Sequence, residues 1–263
     1  MNSSINFDGS SRTNSRKNSS THEYYVVGGQ ESGPNSYPWM VALLDNNGFN
    51  FCAGSLIREN LVITAAHCVH NKRPESMGVI LGHHDLDVAL LLNRVTKVTA
   101  IKVHPRFIHA EWAHDVALLK LGPNGRNQNV EPICLPSRNE RSFSNLIVAG
   151  WGRTSTSPLA MKPNRLREVS LPQVDQIICE ESWRENRVGG NQMCAGSPGK
   201  DTCTYDSGSP LMSLDPKSGT IVLAGITSFG SKRCGDPDKP GVYTRTASYL
   251  DWIQSYLSDF PCN

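Results

Sequence analysis

The chain has 263 residues, of which 38% are hydrophobic and 19% charged, so it can bury the core of a globular protein with one or two domains. Its formal net charge is only +2, and its Lys and Arg residues are scattered, which argues against binding to nucleic acid or to a membrane surface. Its apolar runs, such as Val88 to Leu92, are far shorter than the roughly 20 residues that span a bilayer. We therefore expect a soluble monomer.

Residues 1–22 are rich in Ser and Asn and contain almost nothing that could be buried, so the sequence predicts that they are disordered. From Tyr24 onward, short β-rich runs alternate with Gly, Pro, Asn and Asp. The candidate strands are Trp39–Leu44, Phe51–Ile57, Leu61–Ala65, Val95–Val103, Val116–Leu121, Leu146–Trp151, Ile221–Phe229 and Gly241–Arg245. Many short strands without helical periods between them favour antiparallel barrels or a sandwich over a parallel α/β sheet.

One helix is predicted, at the C-terminal end of the chain. Its apolar positions follow the helical spacing i, i+3, i+4, i+7, i+8, and they are Tyr249, Trp252, Ile253, Tyr256 and Leu257. Ser248 is the expected N-cap residue, with Asp251 three positions later. We expect this helix to pack its apolar face against the last barrel.

Eight cysteines are spread along the chain, at positions 52, 68, 134, 179, 194, 203, 234 and 262. An even number without a C-x-x-C spacing is more typical of disulfides than of a zinc or redox site, which is the alternative. Disulfides persist in oxidising compartments, so we expect a secreted, extracellular protein. The first residues lack the apolar core of a signal peptide, and we interpret the sequence as one whose leader is missing.

Three segments contain the residue types of nucleophilic catalysis. His67 directly follows a predicted strand, Asp115 precedes another, and Ser207 lies in the segment D-S-G-S-P. A catalytic serine needs a base that takes its proton and an anion that orients the base. The order His, Asp, Ser is the chymotrypsin order, and no G-x-S-x-G elbow of an α/β-hydrolase is present. The alternative is a structural role, with His67 in the core and Asp115 in a turn.

Across residues 26–263 the sequence resembles the trypsin-like family of serine proteases. The resemblance is carried by these motifs and by V-V-G-G at 26–29, P-W at 38–39, G-S-L-I at 54–57, G-W-G at 150–152, M-C-A-G at 193–196 and K-P-G-V-Y-T at 239–244. It implies an all-β fold of two six-stranded antiparallel barrels with a C-terminal α-helix and the active site between the barrels, preceded by a pro segment at residues 1–25. It also implies a catalytic triad of His67, Asp115 and Ser207.

The resemblance further assigns substrate-binding residues. Backbone N–H groups of Tyr205 and Ser207 are expected to hold the oxyanion. Asp201 corresponds to the acid at the base of the specificity pocket, where a buried carboxylate favours a substrate Arg or Lys; a solvated loop acid is the alternative. The other expected substrate-binding residues are Thr202, the pocket-wall residues Gly230 and Gly241, and Ser228 and Phe229, which precede Gly230 on the strand that pairs with the substrate.

The cysteines should pair as in the family. The expected disulfides are Cys52–Cys68, Cys179–Cys194 and Cys203–Cys234. Cys134 and Cys262 remain, and a bridge between them is the simplest solution, with a bond to another chain as the alternative.

The sequence departs from the family pattern at the oxyanion loop and at the activation junction. Tyr205 replaces a glycine whose N–H forms half of the oxyanion hole, and Ser209 replaces a second glycine. A Cβ at position 205 restricts the backbone and adds a phenol beside the leaving group. Relatives are activated by cleavage after Arg or Lys, whereas here the bond is Tyr25–Val26. Asp206 is present to pair with a new Val26 terminus, so the zymogen switch is retained.

We therefore expect a serine endopeptidase that cleaves after Arg or Lys through an acyl-enzyme. Its expected partners are protein or peptide substrates and protein protease inhibitors. His83 and Asn93 replace two glutamates that bind calcium in some trypsins, so no metal and no cofactor is expected. The alternative, motivated by Tyr205, Ser209 and Tyr25, is a protease homologue with weak or no turnover that acts as a binding or cofactor module.

Overall fold

The computed structural model describes most of the chain between positions 29 and 257. The described residues are 29–123, 130–153, 162–186, 188–203, 205–215 and 218–257. Within them the chain forms fourteen β-strands and four short α-helices, so the predicted all-β class is confirmed. No helix among these residues is both long and apolar enough to cross a membrane. The predicted disordered segment, the boundary at 25/26 and Val26 lie outside the described residues and stay predictions.

A closed six-stranded barrel forms the first half of the chain. Its strands follow the order β2-β3-β4-β7-β6-β5 and all neighbours are antiparallel. They are β2 (Met40–Asp45), β3 (Asn50–Arg58), β4 (Leu61–Thr64), β5 (Met77–Leu81), β6 (Thr96–Val103) and β7 (Ala117–Leu121). Two short helices interrupt them, α1 (Ala66–Val69) after β4 and α2 (Leu86–Leu91) after β5.

Eight strands of the second half form one sheet in the order β1-β9-β8-β12-β13-β14-β11-β10. They are β1 (Gln30–Glu31), β8 (Leu146–Gly150), β9 (Arg167–Leu171), β10 (Gln173–Val174), β11 (Gln192–Ala195), β12 (Pro210–Leu214), β13 (Ile221–Phe229) and β14 (Gly241–Arg245). Only Pro172 separates β9 from β10, although the two strands pair with opposite ends of the sheet. The connection through Pro172 therefore curves this sheet into an open half-barrel with β1 at one edge and β10 at the other, and we call it the second barrel.

The two barrels pack against each other through one apolar cluster that contains residues of both, while two further clusters lie within the second barrel. Trp39, which precedes β2, donates its indole N–H to the sulfur of Met212 in β12 at 3.1 Å. Trp151, which follows β8, donates to the carbonyl oxygen of His84 at 3.2 Å. Both indoles are buried, and each finds a polar partner in the other half of the chain. These contacts fix the cleft between the barrels.

The C-terminal helix differs from the prediction at its start. A 3-10 helix at Thr246–Tyr249 leads into α4 (Leu250–Gln254), whose N-cap is Tyr249 without a side-chain hydrogen bond. The expected Ser248 cap is therefore wrong, because Ser248 already lies inside the preceding 3-10 turn. The predicted apolar face is confirmed only in part: Tyr249, Ile253 and Leu257 are buried, Trp252 is partly buried, and Tyr256 is 46% exposed.

Three disulfides join six of the seven cysteines that the structure describes. Cys52–Cys68 lies in the first barrel, and Cys179–Cys194 and Cys203–Cys234 lie in the second, with Cα–Cα distances of 6.3, 5.6 and 5.4 Å. Cys179 belongs to α3 (Gln176–Ser182). Cys262 lies outside the described residues, so the Cys134–Cys262 bridge stays a prediction.

The contribution of α4 to stability can be tested by truncating Ile253. Its side chain is fully buried, so Ile253→Ala should lower the free energy of unfolding by about 2–4 kcal/mol through lost burial and a cavity. Ile177 in α3 is 67% exposed, so Ile177→Ala is the matched control and should change stability by less than about 0.5 kcal/mol. Guanidinium unfolding without reductant measures both, and equal losses would contradict the packing of α4.

Candidate active site

His67 is placed by the strand-to-helix turn between β4 and α1. Its backbone N–H donates to Oδ1 of Asp115 at 2.8 Å, and its ring Nδ1 lies 2.7 Å from Oδ2 of the same carboxylate. Because a carboxylate only accepts, Nδ1 carries the hydrogen, and Nε2 of the neutral ring is free to act as a base. Two hydrogen bonds to one carboxylate fix both the backbone and the ring of His67.

Asp115 is 1% exposed and lies directly before β7. Its Oδ2 also accepts the hydroxyl hydrogen of Ser228 at 2.6 Å, and its carbonyl oxygen accepts the hydroxyl of Thr244 at 2.8 Å. Both donors belong to the second barrel. A buried carboxylate is tolerated when it is hydrogen-bonded in this way. The sequence assigned Ser228 to the strand that pairs with the substrate backbone, which stays a prediction. The contact of its side chain with Asp115 is an additional role that no local spacing could reveal.

Ser207 is held against the first barrel by its backbone. Its carbonyl oxygen accepts the N–H of Ala53 at 2.9 Å. Ala53 adjoins Cys52, whose disulfide partner Cys68 follows His67, so the two motifs meet across the cleft. Among the described residues no hydrogen bond joins Ser207 Oγ to His67, whose Nε2 lies 3.7 Å from Cys68 Sγ. Such contacts are often long before substrate binds.

The glycine after Ser207 is required by this close approach. Gly208 has φ +81°, and a Cβ on it would lie 2.2 Å from the carbonyl oxygen of Ala53. Neither the backbone conformation nor the space admits a side chain. The S-G dipeptide therefore follows from docking the nucleophile turn on β3.

Asp206 is 1% exposed and points away from the cleft into the second barrel. Its Oδ1 accepts the N–H of Gly152 at 2.8 Å and its Oδ2 accepts that of Cys203 at 3.0 Å. A Cβ on Gly150 or Gly152 would come within 2.1 or 2.3 Å of the carboxyl group, which explains the G-W-G motif. Burial raises the pKa of Asp206 from 3.8 to about 6, while the two backbone donors oppose that shift.

Tyr205 adopts a left-handed backbone conformation with φ +78°, the region that a glycine would occupy without cost. For a residue with a Cβ this conformation costs roughly 1–2 kcal/mol. The phenol ring packs edge-on against Phe49 at 5.5 Å between centroids. The ammonium of Lys162 lies 4.9 Å from the Tyr205 ring centroid, and the guanidinium of Arg153 lies 5.8 Å from it. The sequence predicted the strain at Tyr205 but gave no indication of these contacts.

Asp201 lies between the two predicted pocket glycines. A Cβ on Gly230 would lie 3.9 Å from Oδ2 of Asp201, and one on Gly241 would lie 2.6 Å from Oδ1. Thr202 N–H donates to Oδ1 at 2.8 Å and Gly235 N–H lies 3.4 Å from Oδ2. Burial raises the pKa of Asp201 from 3.8 to about 7, and these donors only partly oppose it. The carboxyl group is thus buried without a cationic partner among the described residues.

An aromatic wall extends from His67 along the cleft. The indole of Trp112 meets the His67 ring edge-on at 5.0 Å and lies 5.5 Å from the Phe229 ring, which in turn contacts Trp183 at 5.2 Å. Phe229 was expected in substrate binding, whereas Trp112 was missed. The one sequence feature that could have indicated Trp112 as a site residue was its position three residues before Asp115.

The described residues contain one group of three potential metal ligands, Cys52, His67 and Cys68. Both cysteines are joined in a disulfide, so neither offers a thiolate to a metal ion. The chemistry available to this cleft is therefore that of a histidine–carboxylate pair, a serine and a second buried acid.

A fold of two barrels with a His–Asp pair and a serine motif at their junction is the arrangement of the chymotrypsin-like class. A family model described as Trypsin matches residues 26–253. The chain therefore belongs to the trypsin family of serine proteases.

Three relatives cover most of the chain. It is 36% identical over 248 residues to clotting factor G beta subunit of Tachypleus tridentatus, covering 87% of this chain and 78% of that protein. It is 34% identical over 239 residues to trypsin-1 of Astacus astacus, covering 88% and 99%. It is 38% identical over 247 residues to serine protease snk of Drosophila melanogaster, covering 87% of this chain but only 56% of that protein.

The buried carboxyl group of Asp201 predicts a pH-dependent stability. The raised pKa of Asp201 means that the folded state binds the proton more tightly than the unfolded state. The ionised carboxylate therefore lowers the free energy of unfolding, and this loss is absent below about pH 4 and complete above about pH 7. Asp201→Asn should therefore stabilise the fold by on the order of 2–4 kcal/mol at pH 8 and by little at pH 4.

Denaturant unfolding at both pH values measures this difference. Asp238→Asn, at an exposed loop position, controls for replacing an aspartate as such. A stability gain of equal size at pH 4 and pH 8 would contradict the assigned ionisation of Asp201.

Proposed function

We propose that the chain is a secreted serine endopeptidase that cleaves peptide bonds after Arg or Lys. The observation that carries the proposal is the 2.7 Å hydrogen bond between His67 Nδ1 and the buried Asp115, in a chain whose Ser207 turn docks on the neighbouring strand. It leaves Nε2 as the ring nitrogen that can act as a base. Family membership supports serine protease chemistry in general; the specificity and the triad roles are our proposal.

In the proposed reaction, Ser207 Oγ attacks the scissile carbonyl carbon while His67 Nε2 takes the hydroxyl proton. The carbonyl oxygen becomes an oxyanion that accepts hydrogen bonds from the N–H groups of Tyr205 and Ser207. His67 then gives its proton to the leaving amine as the C–N bond breaks, and an acyl-enzyme remains. Water, deprotonated by His67, attacks the ester and restores Ser207. Asp115 stabilises the charged imidazole in both steps.

The specificity follows from Asp201. A buried carboxyl group with a raised pKa gains most from a partner that supplies a positive charge and displaces its proton. The two glycines beside it leave room for a long side chain to reach the acid. An Arg or Lys side chain of the substrate fits both requirements, and Thr202 offers an additional hydroxyl group beside it.

Activation is proposed to follow cleavage of the Tyr25–Val26 bond. The new ammonium group of Val26 would pair with Asp206, whose carboxylate is buried and otherwise held by two backbone N–H groups. Because Asp206 adjoins Ser207, this ion pair would fix the loop that carries the oxyanion donors. Val26 lies outside the described residues, so the pairing rests on the buried position of Asp206 alone.

The second candidate is a protease homologue with weak or no turnover that acts as a binding module. The left-handed Tyr205 favours it, because a strained donor is easily displaced from the oxyanion hole. Ser209 adds a buried hydroxyl group without a partner among the described residues, a defect that costs about 1–3 kcal/mol. The complete set of triad residues favours the active enzyme.

Two of the relatives bear the names of a clotting factor subunit and a serine protease, which agrees with limited cleavage of protein substrates. The three disulfides agree with an extracellular location. Protein protease inhibitors that present an Arg or Lys are the other expected partners.

Activity should depend on release of Val26. With a site-specific protease sequence placed directly before Val26, the cut form should hydrolyse an Arg-containing peptide amide, and the uncut form should be at least about a hundredfold slower because its oxyanion loop lacks the ion pair. Ser207→Ala in the cut form is the control for contaminating proteases. Full activity of the uncut chain would refute the activation mechanism, and an inactive cut chain would favour the binding module.

Specificity should depend on the charge of Asp201. In the cut form, Asp201→Ser should lower kcat/KM for an Arg substrate by about a hundredfold to several thousandfold, because the substrate cation would be buried without its partner. Asp238→Ser, at an exposed loop position, is the matched control and should leave kcat/KM unchanged. An unaltered preference for Arg and Lys in Asp201→Ser would refute the assigned role.

A further inference from the structure

Tyr205 is a strained residue at a position where the proposed reaction needs a fixed N–H. Its φ of +78° lies in the left-handed region, and the N–H groups of 205 and 207 are the proposed oxyanion donors. A tyrosine free of tertiary contacts would leave this conformation for one with negative φ, and the N–H direction would change with it. The hydrogen bond from the Asp206 N–H to the Cys203 carbonyl oxygen at 3.0 Å closes the turn and opposes that change, and contacts of the Tyr205 side chain can add to it.

The structure supplies such an interaction in a cluster of Phe49, Tyr205 and Lys162, which we call the aromatic–ammonium cluster. The Phe49 and Tyr205 rings meet at an interplanar angle of 81°. The Lys162 ammonium lies 4.9 Å from the Tyr205 ring centroid and 5.2 Å from the Phe49 ring centroid. Edge-to-face ring contacts and cation–π contacts at such distances are each attractive, so the three side chains hold one another in place.

Both partners of Tyr205 are themselves anchored to the first barrel. The Lys162 ammonium donates to the carbonyl oxygen and to Oδ1 of Asn50 at 2.5 Å each. The Asn50 side chain is buried and donates in turn to the carbonyl oxygens of Leu43 and Cys52. Phe49 is held by two hydrogen bonds to Asp45, one from its N–H to Oδ1 and one to its carbonyl oxygen.

The ammonium also lies in a partly dry environment, where a cation–π contact is stronger than in water. Burial lowers the pKa of Lys162 to about 8, and the negative charge of Asp206 opposes that shift. Lys162 is thus a desolvated cation whose described hydrogen-bond partners are the oxygens of Asn50, and it also lies beside the two rings and interacts electrostatically with Asp206.

We propose that Lys162 is a positioning residue for the oxyanion hole: together with Phe49 it holds the Tyr205 ring so that the strained backbone keeps its N–H directed at the oxyanion. The proposal rests on the proposed protease function and on the oxyanion role of Tyr205. Lys162 touches neither the substrate nor the triad and acts only through Tyr205.

The proposal predicts that Lys162 matters only while residue 205 has a side chain. In the cut form, Lys162→Met should lower kcat on an Arg peptide amide about tenfold, the effect of losing a contact worth about 1.4 kcal/mol in the transition state, with KM changed less than about twofold. In a Tyr205→Gly background the same substitution should change kcat less than about twofold, because glycine adopts positive φ without support. Lys162→Arg, which keeps the cation, should recover most of the lost kcat.

Lys72 offers a matched control. Its ammonium lies 4.2 Å from the ring centroid of Phe51, which belongs to β3 as Asn50 does. This contact does not involve Tyr205. Lys72→Met should leave kcat and KM unchanged. If Lys162→Met lowered kcat equally in the wild-type and the Tyr205→Gly backgrounds, the proposal would be overturned, since Lys162 would then have a general structural role.

A second measurement decides the question without turnover. The N–H of Asp206 donates to the Cys203 carbonyl oxygen at 3.0 Å and closes the turn that contains Tyr205. In the Ser207→Ala protein, amide hydrogen exchange followed by NMR should show this N–H exchanging about tenfold faster after Lys162→Met, and in the Tyr205→Gly background it should not respond to that substitution. An unchanged Asp206 exchange rate would overturn the positioning role. An inactive cut wild type would refute the protease function alone, and the exchange experiment would still test the cluster.

Discussion

The buried carboxylate of Asp115 is the interaction on which the rest of the site depends. It joins three elements of the chain, since it accepts from His67 after β4, itself precedes β7, and accepts from Ser228 of β13. His67 and Asp115 belong to the first barrel, whereas Ser228 and Thr244, which bonds the Asp115 carbonyl oxygen, belong to the second. A buried charge that loses a donor is costly, so the barrels cannot shift relative to each other without disturbing the catalytic pair. The same hydrogen bonds of Asp115 thus fix both the geometry of the His67–Asp115 pair and the packing of the two barrels.

A second constraint comes from two buried acids within the seven residues from Asp201 to Ser207. Asp201 and Asp206 are both buried, both have a raised pKa caused by burial, and both are held mainly by backbone N–H groups, including those of the remote residues Gly235 and Gly152. Backbone donors stabilise a carboxylate without bringing a counter-charge of their own. Each acid therefore remains available to a cation from outside: the substrate side chain for Asp201, and a new chain terminus for Asp206. The same physical state, a desolvated acid with incomplete compensation, underlies the proposed specificity and the proposed activation.

The sequence predicted those elements of the structure that their own residues determine. All eight expected strands are present within one residue of their predicted bounds, because their β-branched and apolar runs reflect burial directly. Strand β12 was missed because it begins at Pro210, and β9 because Arg167 and Glu168 interrupt its apolar pattern. The hydroxyl bond of Ser228 to Asp115 spans 113 positions, and no spacing in the sequence encodes such a contact. Sequence motifs therefore identified the candidate residues, while their hydrogen-bond partners could be identified only from the three-dimensional structure.

Tyr205 illustrates how contacts with neighbouring side chains can compensate for a residue that departs from a family pattern. Replacing a glycine at positive φ creates a conflict between the local preference of the backbone and the conformation that the site requires. The contacts that oppose this conflict come from Phe49, which directly precedes β3, and from Lys162, which lies between β8 and β9. Neither residue carries a recognisable motif, so each would be judged an ordinary surface residue on its own. Their roles become visible only through the strained residue that they support, which is why an unusual backbone angle is the most informative starting point for finding compensating side chains.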